Sequence, residues 1–197
     1  MISSLSAREP SISDYASSKL ASESALKQSN LKQWTIIRPP AVYGPGDTEL
    51  KPVFDWMKRG VLWVPGSAMQ QFSLLHVDDL SSLVLSQLNL TTQSRNTIEP
   101  NDGNQYSWQK IQQISERFFH RKIRMIRIPD AVLSLAAYSN VLFSRILNYS
   151  PMLTPGKVRE LLHDNWISEG TPCINHWTPK VDLKIGLGTL YSSNDVN

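Results

Sequence analysis

The chain has 197 residues, 41% hydrophobic and 19% charged. That is an ordinary globular balance, enough for one domain with a real core or a small domain plus part of another. Lys plus Arg exceed Asp plus Glu by 20 to 17, an excess too small and too scattered to argue for a nucleic-acid partner. A single cysteine, Cys173, excludes an internal disulfide and has no metal-ligand spacing around it. Residues 1–6 lack a signal-peptide pattern, so a reducing, cytoplasmic setting is expected.

Taken in chain order, Ile2-Ser3-Ser4 reads as a strand end. Ser11 to about Gln28 is predicted helical: Ser13 or Ser11 can cap it, and Ala16, Ala21, Ala25 and Leu26 favour it. Trp34-Thr35-Ile36-Ile37 is a short β-rich run halted by Pro39-Pro40, as in a buried parallel strand. Gly44-Pro45-Gly46-Asp47 is a loop, Leu50 to Arg59 a helix and Val61 to Val64 a strand. Asp78 or Asp79 is expected to cap a helix running to about Leu90. Asn96 to Glu99 is a strand, Ser107 caps a helix through Phe119, and Ile123 to Ile128 is a strand with a solvated basic face. Ala131 to Leu147 is the most apolar stretch. Its serines, Tyr138, Asn140 and Arg145 make it a poor membrane span, and a buried or partly interfacial helix is expected. Thr154-Pro155 opens a further helix through His163.

Strands alternating with helices indicate an α/β fold with a mainly helical C-terminal section. The nine glycines include no G-x-G-x-x-G turn, the usual opening of a doubly wound dinucleotide fold. A sheet starting at Ile2 is therefore expected to lack its central strands.

Tyr15-Ala16-Ser17-Ser18-Lys19 places a phenol and an ammonium four residues apart, on one face of a helix. A free tyrosine, with a pKa near ~10, is a poor base at neutral pH. A neighbouring ammonium stabilises the phenolate, so the phenol can exchange a proton with an alcohol or carbonyl. Ser3 and Ser4 lie a short loop upstream, where a hydroxyl could polarise a substrate oxygen. Downstream come Arg38-Pro39-Pro40-Ala41-Val42-Tyr43-Gly44-Pro45-Gly46-Asp47, then His76-Val77-Asp78-Asp79, and in the tail Leu153 to Glu160 and Trp177-Thr178-Pro179.

In this order and spacing these motifs resemble the extended short-chain dehydrogenase/reductase family, the NAD-dependent epimerase/dehydratase group, over essentially the whole chain. The resemblance implies the C-terminal part of a doubly wound, Rossmann-type parallel sheet, plus a smaller, mainly helical substrate-side region. Residues 1–100 would form the first and 101–197 the second, interleaved in space. It implies Tyr15 as general acid/base and Lys19 as its tuner and a ligand of the nicotinamide ribose. Ser4, or Ser3 in another register, would hold the substrate oxygen. Pro39, Pro40 and Ala41 would line the nicotinamide side of the cleft. His76 would be mainly structural. The cofactor is NAD or NADP, with no metal. A small-molecule substrate is expected, without nucleic acid or a strong membrane signal. A homodimer, or pairing with a missing glycine-rich N-terminal half, fits the family.

Two departures bear on substrate. Where nucleotide-sugar enzymes of the group often carry Asn, this chain has Ala41. Where they often place a diphosphate-gripping Arg, it has Phe72. An aromatic in place of a cation, with the apolar Val132 to Leu147 segment nearby, points to a less polar alcohol or ketone, as in the 3β-hydroxysteroid-dehydrogenase-like branch. Phe72 and that segment could equally be core. The alternatives are a catalytically silent truncated product or half of a split enzyme, a nucleotide-sugar epimerase or dehydratase, and a non-catalytic interaction domain.

Overall fold

The computed structural model describes residues 1–88, 95–147, 149, 151, 153–170, 172–174 and 176–191, with backbone only at 145 and 146. After a 3-10 turn at Leu5–Arg8 come α1 (Asp14–Gln28), β1 (Trp34–Ile37), β2 (Ala41–Tyr43), α2 (Lys51–Lys58), β3 (Val61–Pro65), β4 (Gln71–Phe72), β5 (Leu74–His76) and α3 (Val77–Leu88). Then follow β6 (Arg95–Ile98), β7 (Tyr106–Ser107), α4 (Trp108–Phe119), β8 (Arg124–Ile128), α5 (Asp130–Leu147), α6 (Pro155–Leu162), β9 (Asn165–Trp166) and α7 (Leu183–Leu190).

The α/β class stands, with parallel pairing dominant. The parallel strands form three separate pairs, β1 with β6, β2 with β5 and β3 with β8. A fourth, mixed sheet has the order β7-β4-β9. Ile2 bridges Ile37 in parallel, so the opening residues extend along β1. The β3–β8 and β4–β9 pairs join residues on either side of position 100.

The helices follow from local chemistry. Ser13 and Ser107 cap α1 and α4 by accepting from Ala16 N and Lys110 N, and Thr154 caps α6 by accepting from Lys157 N. Pro52 near the first turn of α2 costs no intrahelical bond, and the Asp47 carboxylate accepts from the backbone of Glu49, Leu50 and Lys51. Phe54 and Met57, three residues apart, face the core with Leu62, Val64, Ile111, Leu183 and Leu187. Each such fully buried side chain contributes roughly 1.5–3 kcal/mol.

Several expectations are corrected. Asp79 does not cap α3, which begins at Val77. It is buried, and it accepts from the backbone N–H groups of Lys180 and Val181, about 3.0 Å away, so it anchors the approach to α7. The predicted end of that helix, Leu90, lies outside the described residues. The short strands β2, β4, β5, β7 and β9 were not anticipated. Of the two expectations for the α5 segment, only the fully buried helix fails. Leu133 and Ala137 pack with Val158 of α6, while Leu135, Tyr138 and Leu142 on the other side are exposed.

Candidate active site

α1 presents Tyr15 to solvent at 51% exposure, with the Lys19 Nζ 5.4 Å from its ring centroid. A step of four residues advances about 40° around a helix. The row Tyr15, Lys19, Glu23 therefore drifts from exposed, through half-buried, to fully buried. At its buried end Glu23 receives two hydrogen bonds from Arg38, at 2.7 and 2.8 Å, and one from Ser3 Oγ at 2.6 Å. Burial pushes the Glu23 carboxyl up. The hydrogen bonds from Arg38 and Ser3, with the Arg38 and Lys27 charges, outweigh it and hold the group below its ordinary range. Arg38 also bonds Glu99, which in turn pairs with Arg8.

This network ties three pieces of backbone together. Ser3 N donates to Ile37 O and Leu5 N to Pro39 O, which lays the Ser3–Leu5 segment along the C-terminal end of β1. Pro39 and Pro40 are buried there, and Ala41 is exposed at the start of β2. The two serines differ. The hydroxyl proton of Ser3 is engaged by Glu23. Ser4 Oγ accepts from Ser6 N and Ser6 Oγ, which leaves its own proton to be given elsewhere. The Ser4–Arg8 turn packs against α1.

The N-terminus of α1 is gripped from the opposite side. Arg159 Nε donates to Ile12 O at 2.7 Å, Ser13 Oγ bonds the Glu160 carboxylate, and a Cβ on Gly156 would meet Ser13 Cβ at 2.9 Å. Sequence reasoning did not single out Glu23, Arg8, Glu99, Arg159 or Glu160. The one available signal was Glu23, four residues beyond Lys19 on a helix with few apolar side chains to bury.

His76 lies away from this cluster. It is fully buried, accepts from Asp78 N at Nδ1, and contacts Thr189 Oγ1 of α7 at 3.0 Å through Nε2. Its ring meets Tyr43 edge-on at 5.2 Å. Gly44 sits above at φ +136°, where a Cβ would come within 2.9 Å of His76 Nε2. The Tyr-Gly and His-Val-Asp-Asp motifs thus meet each other and α7. Phe72 is half-buried, its ring 5.0 Å from that of Trp108. Among the described residues no group of His, Cys, Asp or Glu could hold a metal ion, and no helix is long and apolar enough to cross a membrane.

Residues 3–99 match the model of the NAD dependent epimerase/dehydratase family. The chain is 33% identical over 174 residues to a protein described as ceramide reductase from Caulobacter vibrioides (strain NA1000 / CB15N), covering 87% of this chain and 54% of that one. Its fold is similar to that of UDP-glucuronic acid 4-epimerase from Bacillus cereus, solved with UDP-glucuronic acid and NAD. There the TM-score is 0.60 at 18% identity, over 94% of this chain and 52% of that one. Pal from Bacillus thuringiensis gives 0.64 at 19% identity, over 94% and 58%. The chain therefore spans about half the length of the relatives it matches. Residues 3–99 of this chain belong to the NAD dependent epimerase/dehydratase family.

Proposed function

We propose that this chain carries the active-site pair and the substrate-side region of a nicotinamide-dependent oxidoreductase acting on a secondary alcohol or ketone. The observation that carries this reading is the Tyr15/Lys19 pair, solvent-facing on a helix clamped at both ends, beside the Ser4 turn. In the reducing direction Tyr15 Oη gives its proton to the carbonyl oxygen, Ser4 Oγ donates a hydrogen bond to the same oxygen, and the Lys19 ammonium stabilises the charge left on the phenol. A bound nicotinamide supplies the hydride, with its electron pair, to the carbonyl carbon. Lys19 is suited to the ribose hydroxyls, and the exposed Ala41 just past β1 to the nicotinamide edge, where open α/β sheets take ligands. Whether NAD or NADP serves is decided elsewhere than in these residues.

The substrate we infer is apolar rather than a nucleotide sugar. Ala41 and Phe72 offer no charge to a diphosphate, and the relative at 33% identity is described as a ceramide reductase, whereas the sugar-nucleotide enzymes share only the fold. The test joins this chain to the nucleotide-binding half of a relative and assays reduction of a long-chain 3-keto sphingoid against oxidation of a UDP-hexose. Turnover of the first, lost in Tyr15→Phe, is expected. Turnover of the UDP-hexose alone, or full activity in Tyr15→Phe, overturns the reading.

A further inference from the structure

At 100° per residue, Val132, Leu135, Tyr138, Leu142, Phe143 and Leu147 fall on one half of the α5 circumference. All six are 54–70% exposed. The face is about 22 Å long at 1.5 Å per residue, and its opposite side is taken up by α6. No charged residue interrupts it between Asp130 and Arg145. Isolated exposed apolar residues are ordinary, but a helical face of this size interrupted only by Ser139 is not.

Its surroundings are basic. Segment 120–149 contains Arg121, Lys122, Arg124, Arg127 and Arg145 against Asp130 alone, which exceeds the whole chain's net charge of +3. His120, Arg121, Lys122, Arg124 and Arg127 are all exposed. Ile128 packs into the same cluster as Leu133 and Ala137, so the Arg127 end of β8 abuts the first turns of α5. We propose that this face docks on an anionic lipid bilayer, lying in the headgroup region with α5 parallel to the surface. An apolar helical face whose first turns abut the exposed basic strand β8, where Arg127 pairs with Asp130 at 3.9 Å, suits such a surface, and Tyr138 supplies an amphipathic ring at the boundary. The docked face also leads to the candidate site, because α6 packs on α5 and grips the start of α1 through Arg159 and Glu160.

The test is vesicle flotation of the 197-residue chain. Vesicles of phosphatidylcholine with about one third phosphatidylglycerol are compared with phosphatidylcholine alone. The wild-type chain is expected to float with the anionic vesicles, several-fold less with neutral ones, and less as salt screens the cations. Leu135→Glu with Phe143→Glu should cut the bound fraction about tenfold, whereas Leu88→Glu, at a position 75% exposed on α3, should leave it unchanged. Tyr15→Phe should float like the wild type, whether or not the oxidoreductase reading holds. Three results overturn the proposal: no flotation with anionic vesicles, flotation indifferent to the α5 double substitution, or a lipid-free dimer that the double substitution makes monomeric.

Discussion

Tyr15 and Glu23 stand eight residues apart on one helix yet meet opposite environments, and their substitution should separate chemistry from folding. Tyr15 is half exposed, and its ring lies 5.4 Å from the Lys19 ammonium. Tyr15→Phe removes one proton and one oxygen there. Thermal or urea stability should move by less than about 0.5 kcal/mol, while, on the proposed function, turnover by this chain joined to a nucleotide-binding half should fall about 10²–10⁴-fold. Glu23→Gln should do the reverse of a surface change. It leaves Arg38 without its main partner, although Glu99 remains beside the guanidinium. The expected cost near neutral pH is roughly 2–3 kcal/mol, somewhat below that of breaking a fully isolated buried pair. The sign with pH follows from the depressed carboxyl. Its contribution is fully present above the ordinary value of 4.5 and is lost as pH falls through the lower folded value. The stability gap between wild type and Glu23→Gln, read from urea unfolding at stepped pH, should therefore narrow on acidification. A gap that widened would contradict the assigned direction.

α7 shows how an element can be held by motifs far from it in sequence. Gly186 faces Tyr43 so closely that a Cβ would lie 2.5 Å from the ring and its hydroxyl. Gly188, one residue pair along and exposed, has nothing within 4 Å. Gly186→Ala should destabilise by about 1–3 kcal/mol through overpacking, whereas Gly188→Ala should stabilise by up to ~1 kcal/mol through helix propensity. Opposite shifts in melting temperature check both at once. The elements that sequence reading found have local causes: Ser13, Ser107 and Thr154 as caps, Pro155 at the start of α6, and the β-rich runs of β1 and β3. The strands it missed are two or three residues long, too short for any periodicity, and exist because a partner lies beside them. Asp79 was misread for a related reason. A carboxylate opening a helix resembles a cap, but its acceptor oxygens reach backbone N–H groups about a hundred residues away. The candidate site was legible where it depends on i,i+4 spacing, as with Tyr15 and Lys19. Its clamps, Glu23 to Arg38 and Glu160 to Ser13, depend on tertiary neighbours and left no local pattern.

Across the described residues, the candidate site sets Tyr15 beside Lys19 but has no glycine-rich cradle for a pyrophosphate. A dinucleotide of this type is ordinarily held where a glycine-rich turn lets helix N–H groups approach the phosphates. None of the nine glycines lies in such a turn: Gly44 packs against His76 and Gly186 against Tyr43. On the proposed function, the described residues offer the ribose and nicotinamide end Lys19, Tyr15 and the β1 terminus. On that reading, these residues orient the nicotinamide end of a cofactor whose pyrophosphate would need further contacts. Calorimetric titration of this chain with NADH and with NADPH should therefore give no saturable binding below about millimolar concentration, some three orders of magnitude weaker than a micromolar site. The same chain joined to a strand, glycine-rich turn and helix should bind in the micromolar range, and Lys19→Met should weaken that complex several-fold without lowering the melting temperature. Micromolar affinity of the chain alone would mean that the β1 end and the Ser4 turn form a more complete cofactor site than their geometry implies.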